Sequence, residues 1–117
     1  MTREFVRLFE FEKQCKAIDL IEDDVKNIEN IILDNPTVGD VMPGTGGVRK
    51  FRYALPNTGK RGGARIVYVD FPRYEKTHFL TVYAKSKSEN LTKEQQNKMR
   101  AVVALLEAEL RRERNGR

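Results

Sequence analysis

Lys50 and Arg52 stand two residues apart in a stretch with strand character, so their side chains leave the backbone on the same side. Arg65 opens a second such stretch. Lys85 and Lys87, again two apart, follow a third. If the three strands pair as neighbours, these cations could converge on one face or one end of a sheet. Such a cluster can cleave RNA without a metal. A cation that is desolvated and crowded by its neighbours has a lowered pKa and can take the proton from a 2′-OH. The others stabilise the charge that builds on the phosphorane and assist the leaving 5′-oxygen. DNA lacks the 2′-OH, so this route is confined to RNA. Lys50, Arg52, Arg65, Lys85 and Lys87 are the cations that such a face would gather.

A second set could hold phosphate without reacting. In Gly59-Lys60-Arg61-Gly62-Gly63 two cations lie between glycines, which allows backbone and charge to approach a phosphate together. The alternative is a hairpin turn with solvated basic residues. Arg49 and Lys87 join Lys60 and Arg61 as phosphate-holding candidates. The charge distribution supports a localised anion site. Between Asp40 and Asp70 the chain runs 29 residues without an acidic side chain and carries six basic ones. The whole sequence has 22 Lys+Arg and 17 Asp+Glu, a net +5. With those six basic residues set aside, 16 face all 17 acidic ones, a net of −1. A positive segment on a near-neutral body attracts a polyanion without making the whole surface adhesive.

Other chemistries find less support. A metal hydrolase needs Asp, Glu or His clustered on neighbouring elements, and the acid-free window cannot supply carboxylates. The one histidine, His78, begins a strand and reads as a partly exposed residue of it. No G-x-S-x-G elbow is present. Gly44-Thr45-Gly46-Gly47 leads into a strand, whereas phosphate-binding loops of nucleotide enzymes lead into a helix. No cofactor or metal is expected. The lone Cys15 lies at helical spacing with Phe11 and Ile18 and reads as a buried small hydrophobe.

The elements that must position these residues follow from periodicity. Residues 4–10 alternate as a first strand, and a helix begins near Phe11. A second helix over 22–34 has Glu22, Asp23 and Asp24 in its first turn, an apolar stripe of Val25, Ile28, Ile31 and Ile32, and Asn35-Pro36 as its stop. Residues 39–47 read as a glycine-rich loop. Strands over 48–55, 64–71 and 77–84, joined by short turns, predict an antiparallel meander. Both faces of 64–71 carry apolar residues, which leaves its parity open. Thr92 and Gln95 have capping-box spacing ahead of a helix running to about Arg114, with a stripe of Met99, Val102, Val103, Leu106 and Leu110. Its terminal Arg111, Arg112 and Arg114 suit a helix C-terminus. The order is β-α-α-β-β-β-α, an α+β class in one domain over 1–117. No apolar run approaches the ~20 residues of a membrane span, no membrane partner is expected, and the cysteine usage agrees with a cytoplasmic protein.

Three ordered segments carry a family resemblance: VGDVMPGTGGVRKFRYA, GKRGGARIVYV, and FLTVYAKSKSENLT ahead of the last helix. Together they resemble the RelE/ParE superfamily of type II toxins, nearest its HigB-like branch, over about residues 30–105. The resemblance implies the small RelE-like fold. It further implies a metal-independent, ribosome-dependent mRNA endonuclease that halts translation. The partners implied are the ribosome, mRNA and a cognate antitoxin of helix-turn-helix type, with operator DNA reached only through the antitoxin. By position, Lys50 and Arg52 match the paired basic residues of the second strand, Arg65 the arginine of the next, and Lys85 the basic position after the last, so the resemblance implies these four as the catalytic set. Two departures stand out. Ser86 follows Lys85 where RelE has a Lys-Arg pair, and Leu91 lies near the place of the RelE C-terminal tyrosine. The alternatives within the superfamily are a ParE-like inhibitor of DNA gyrase, which does not need the basic set, and an inactive toxin that binds its antitoxin for repression.

Overall fold

Apolar spacing and chain breaks set the elements, and the computed structural model describes residues 2–55, 63–84 and 91–116. Strand β1 (Glu4–Arg7) is followed by helix α1 (Phe9–Ala17) and helix α2 (Glu22–Asp34). The first strand is shorter than the alternation of 4–10 predicted, because Phe9 and Glu10 already belong to the helix. Helix α2 has the predicted bounds. Its Asp24 accepts from the backbone N–H of Ile21 at 3.2 Å and from the Tyr53 hydroxyl at 2.9 Å, tying the helix start to the sheet.

The glycine-rich stretch holds an element that its composition hides. Asp40–Val41 forms a two-residue strand, β2, paired antiparallel with β3 (Arg49–Tyr53). The turn between them is closed by buried Thr45, whose hydroxyl donates to the Met42 carbonyl and accepts from the Val48 N–H. Strands β4 (Ala64–Phe71) and β5 (Lys76–Ala84) follow, joined by a 3₁₀ turn at Pro72–Tyr74, and helix α3 (Lys93–Asn115) ends the chain. The meander pairs antiparallel as expected. β1 then adds in parallel to the far side of β5, so the sheet order is β1-β5-β4-β3-β2.

Both faces of the sheet are covered, which explains why β4 is apolar on both sides. One core joins Phe11, Cys15, Val25, Ile28 and Ile32 of α1 and α2 to Phe51, Ile66, Tyr68, Phe79 and Val82. Phe11 stacks on Phe79 at 4.7 Å between centroids, a contact worth ~0.5–1.5 kcal/mol beyond the area it buries. The other core joins Val48, Val67, Val69, Phe71 and Leu80 to Val103 and Leu110 of α3. Helix α3 thus packs on its own sheet, with Val103 and Leu110 inward, Val102 at the margin and Leu105 largely exposed. Its capping box forms as read, with Gln95 N–H donating to the Thr92 hydroxyl and Thr92 N–H to the Gln95 side chain.

The edge strand is anchored by a buried ion pair. Arg3 donates to Asp70 on β4 at 2.9 and 3.1 Å, and Thr77 on the intervening β5 donates to the same carboxylate at 2.7 Å. Both charged side chains are nearly inaccessible, at 6% and 8%. Asp70, which closes the acid-free window in sequence, is therefore structural.

Candidate functional site

The register of the central strands decides which cations meet. Arg52 on β3 stands directly opposite Arg65 on β4, and Arg65 stands opposite Tyr83 on β5. Lys50 stands opposite Val67. Directly opposed residues project on the same face with Cβ atoms ~4.5–5.5 Å apart. Val67 belongs to the core beneath α3, so Lys50, Arg52, Arg65 and Tyr83 all lie on the α3 face. Two residues along β3 separate Lys50 from Arg52, which is ~7 Å. Three cationic stems thus rise from two adjacent strands within ~5–8 Å of one another. Arg52 is exposed, whereas Lys50, Arg65 and Tyr83 are half-buried.

The parity that the sequence left open is settled by the two cores, Ile66 and Tyr68 facing α1 and α2 and Val67 and Val69 facing α3, and a bulge adjusts β5 to it. Val67 pairs with Thr81 and Tyr68 with Phe79, leaving Leu80 as an extra residue in β5. Phe79 is thereby opposed to Tyr68 in the α1/α2 core, while Thr81 and Tyr83 fall on the α3 face. Without this extra residue, the side chains of one half of β5 would exchange faces.

Arg49 does not join the group. It alternates with Lys50, faces the α1/α2 side, and donates to the carbonyls of Thr37 and Gly39, both at 3.0 Å. The hydroxyl of Tyr68, opposite Arg49, donates to the Val38 carbonyl at 2.6 Å. Burial pushes that hydroxyl up to about 12, so it stays a donor. Arg49 and Tyr68 together clamp the link from α2 to β2, a structural task. Gly39 completes the clamp. At φ +92° a Cβ there would stand 2.2 Å from the Lys50 carbonyl, so only glycine allows the link this close to the strand that carries Lys50 and Arg52. Gly63 has the same function ahead of Arg65, where a Cβ would lie 2.3 Å from the Tyr53 carbonyl.

A family model described as the RelE toxin of the RelE / RelB toxin-antitoxin system matches residues 3–113. The chain belongs to the RelE toxin family. The match extends beyond the motif-bearing segments at both ends, taking in β1 and nearly all of α3. Membership implies an antitoxin as partner. Among the described residues, no helix of this RelE-family toxin is long and apolar enough to cross a membrane. No group of three His, Cys, Asp or Glu among them could hold a metal ion.

Of the other sequence-derived candidates, Lys60, Arg61, Lys85 and Lys87 lie outside the described residues. His78 is not a partly exposed strand residue. It is 5% accessible, opposed to Val69 on the α3 face, and its ring meets Phe71 edge-on at 5.5 Å. Burial, reinforced by Lys76, holds its imidazole below the ordinary value, against the opposing pull of Glu109 and Glu113 on α3 and of Glu4. Sequence reasoning missed this because the charged α3 surface and the aromatic Phe71 reach His78 only through tertiary packing. Cys15 is buried as expected, and desolvation raises its thiol to about 11.

Two residues beside the cations were not singled out. Tyr83 neighbours Arg65 across the strand, and its sequence signal was its shared parity with Lys85. Asp40 stands opposite Lys50 through β2, so the residue bounding the acid-free window borders the cation group. No sequence signal revealed that, because a two-residue strand has no periodicity.

Proposed function

We propose that this RelE-family toxin is a metal-independent endoribonuclease that cuts mRNA on the ribosome and so arrests translation in the cytoplasm. The observation that carries the reading is the opposition of Arg52 and Arg65, with Lys50 beside them. Two guanidiniums on directly opposed stems place two planar donor forks where a single phosphate can be reached by both. Three cations from a rigid two-strand platform suit the two non-bridging oxygens of the phosphorane and the leaving 5′-oxygen, on which charge grows as the 2′-OH attacks and the P–O5′ bond breaks. Tyr83 offers a ring and a hydroxyl at the same row, fit to stack a base or orient the scissile phosphate.

The roles follow from this placement. Arg65, half-buried on the central strand β4, is the phosphate-stabilising residue. Lys50 and Lys85 are assigned to proton transfer, as compact ammonium donors on flexible stems. Lys60, Arg61 and Lys87 are given further phosphate contacts on the sequence alone, since they and Lys85 lie outside the described residues. His78 is remote from the row and under α3, so it takes no part in proton transfer. Dependence on the ribosome is consistent with a platform that stabilises charge well but whose described acid–base groups are few. The assembled decoding site would then orient the mRNA.

The test is metabolic. After induction, incorporation of labelled amino acids and of thymidine is followed while mRNA ends are mapped. Early loss of protein synthesis with codon-phased cuts is expected. Early loss of DNA synthesis over intact mRNA would instead establish a gyrase-directed toxin.

A further inference from the structure

A cavity with arginines at its rim lies on the same sheet face at the opposite end. The 3₁₀ turn after β4 and the last turns of α3 enclose its volume of about 260 Å³, walled by Arg73, Tyr74, Glu75 and Lys76 on one side and Leu110, Glu113 and Arg114 on the other, three cations against two carboxylates. The Arg73 and Arg114 guanidiniums stand 5.9 and 5.7 Å from the centre of the Tyr74 ring, and Arg114 also donates to the Arg73 carbonyl at 3.4 Å. Lys76 is neutralised by Glu4 at 2.6 Å. Among the described residues, neither arginine forms a salt bridge.

Helix-end compensation accounts for Arg114 but not for Arg73, which comes from a different element and meets Arg114 over one aromatic ring. We infer that this pocket is a second RNA contact, taking one phosphate between Arg73 and Arg114 with its sugar or base against Tyr74 and Leu110. The inference rests on RNA being the ligand of the central cations. The cavity is smaller than the ~300–1,000 Å³ typical of drug-sized clefts, which suits a single nucleotide unit and not a helix. Guanidinium and aromatic planes are the usual platforms for unpaired nucleotides. Arg65 and Phe71 are six residues apart on β4, so the two sites are separated by roughly 20 Å. A strand with ~3.4 Å per nucleotide covers that in about six nucleotides. One RNA strand can therefore engage both sites, and the ring of Tyr74 between two guanidiniums suits a base better than it suits a carboxylate side chain.

The experiment measures anisotropy of labelled 2′-O-methyl RNA, which cannot be cleaved through its 2′-oxygen, as a 4-mer and a 12-mer. For full-length Arg73→Gln/Arg114→Gln, the 12-mer should bind about tenfold more weakly and the 4-mer within twofold of wild type. The salt slope for the 12-mer should fall by about 0.7, the share of one phosphate on a single strand. Unchanged 12-mer binding, or equal loss for both lengths, would overturn the inference. So would a defect confined to antitoxin binding. Both arginines are exposed, and Arg73→Glu with a matched melting temperature repeats the test independently of folding. Lys50→Gln/Arg52→Gln reads the central site separately: it should weaken both lengths. If it weakens neither while the pocket variant still discriminates by length, the central reading fails and the pocket stands.

Discussion

Replacing Arg65 with alanine separates chemistry from architecture, because the structure gives the two effects different signs. Arg65 lies opposite Arg52, with stems ~5 Å apart. Two unit charges ~7 Å apart repel by ~0.6 kcal/mol in a water-like medium and ~2.4 kcal/mol at an effective dielectric of 20, upper bounds here because both residues make other contacts. Alanine removes the repulsion but also lowers strand preference by up to ~1 kcal/mol and loses the contacts Arg65 makes. The net change in stability should fall within about 1 kcal/mol of zero. Catalysis has no such compensation. Loss of one preorganised donor at a developing oxyanion costs ~2.7–4 kcal/mol, or 10²–10³ in rate. The assay adds purified variant to a translating extract and quantifies new mRNA 5′ ends by primer extension, with melting and antitoxin co-purification alongside. Cleavage reduced at least a hundredfold, with an unshifted melt and intact antitoxin binding, is expected. Cleavage within threefold of wild type would refute the role of Arg65. A collapse of the melt in step with activity would refute the separation.

The remaining predictions concern the scaffold. Asp70→Ala leaves Arg3 buried without its partner and should destabilise by ~3–5 kcal/mol, lowering the melting temperature by more than ~10 °C; a shift under 4 °C would show that β1 is held otherwise. His78 has a lowered folded-state pKa, so the unfolded chain binds its proton more readily. Its contribution to stability is complete above the unfolded value of ~6.5 and declines as pH falls below it towards the folded value. His78→Leu should flatten that part of a stability–pH curve from denaturant titrations. Cys15, buried with its thiol raised to about 11, should resist thiol reagents at pH 7 until denaturant is added. Labelling of the native protein within minutes would contradict the packing of α1.

How far the site could be read depended on the length of its elements. The parity of Lys50 and Arg52 is local and needed no tertiary information, and Arg65 could be placed at the start of a confident strand. Arg49 shows the limit. It belongs to the same basic run, yet alternation sends it to the other face, where carbonyls of the 37–39 link hold it. The charge count treated Arg49 and Lys50 alike, while the sheet separates them. Asp40 shows the converse, since its two-residue strand has no pattern to detect and still borders Lys50. The helices and the meander were legible because repeated apolar spacing and the Thr92–Gln95 cap act over a few residues.

By itself, the sequence determined the α+β class, the antiparallel meander, and the concentration of cations in its central strands. These depend on the period of side chains along a backbone and on charge counted over a window, both local quantities. Tertiary structure alone decided that β1 joins in parallel beside β5, that α3 covers the second face, and that the bulge at Leu80 turns Tyr83 towards Arg65. It also decided that Arg73 and Arg114, 41 residues apart, share one tyrosine. Each of these is a choice of partner made by burial of apolar surface from both sides of one sheet, and no short stretch of chain carries that choice.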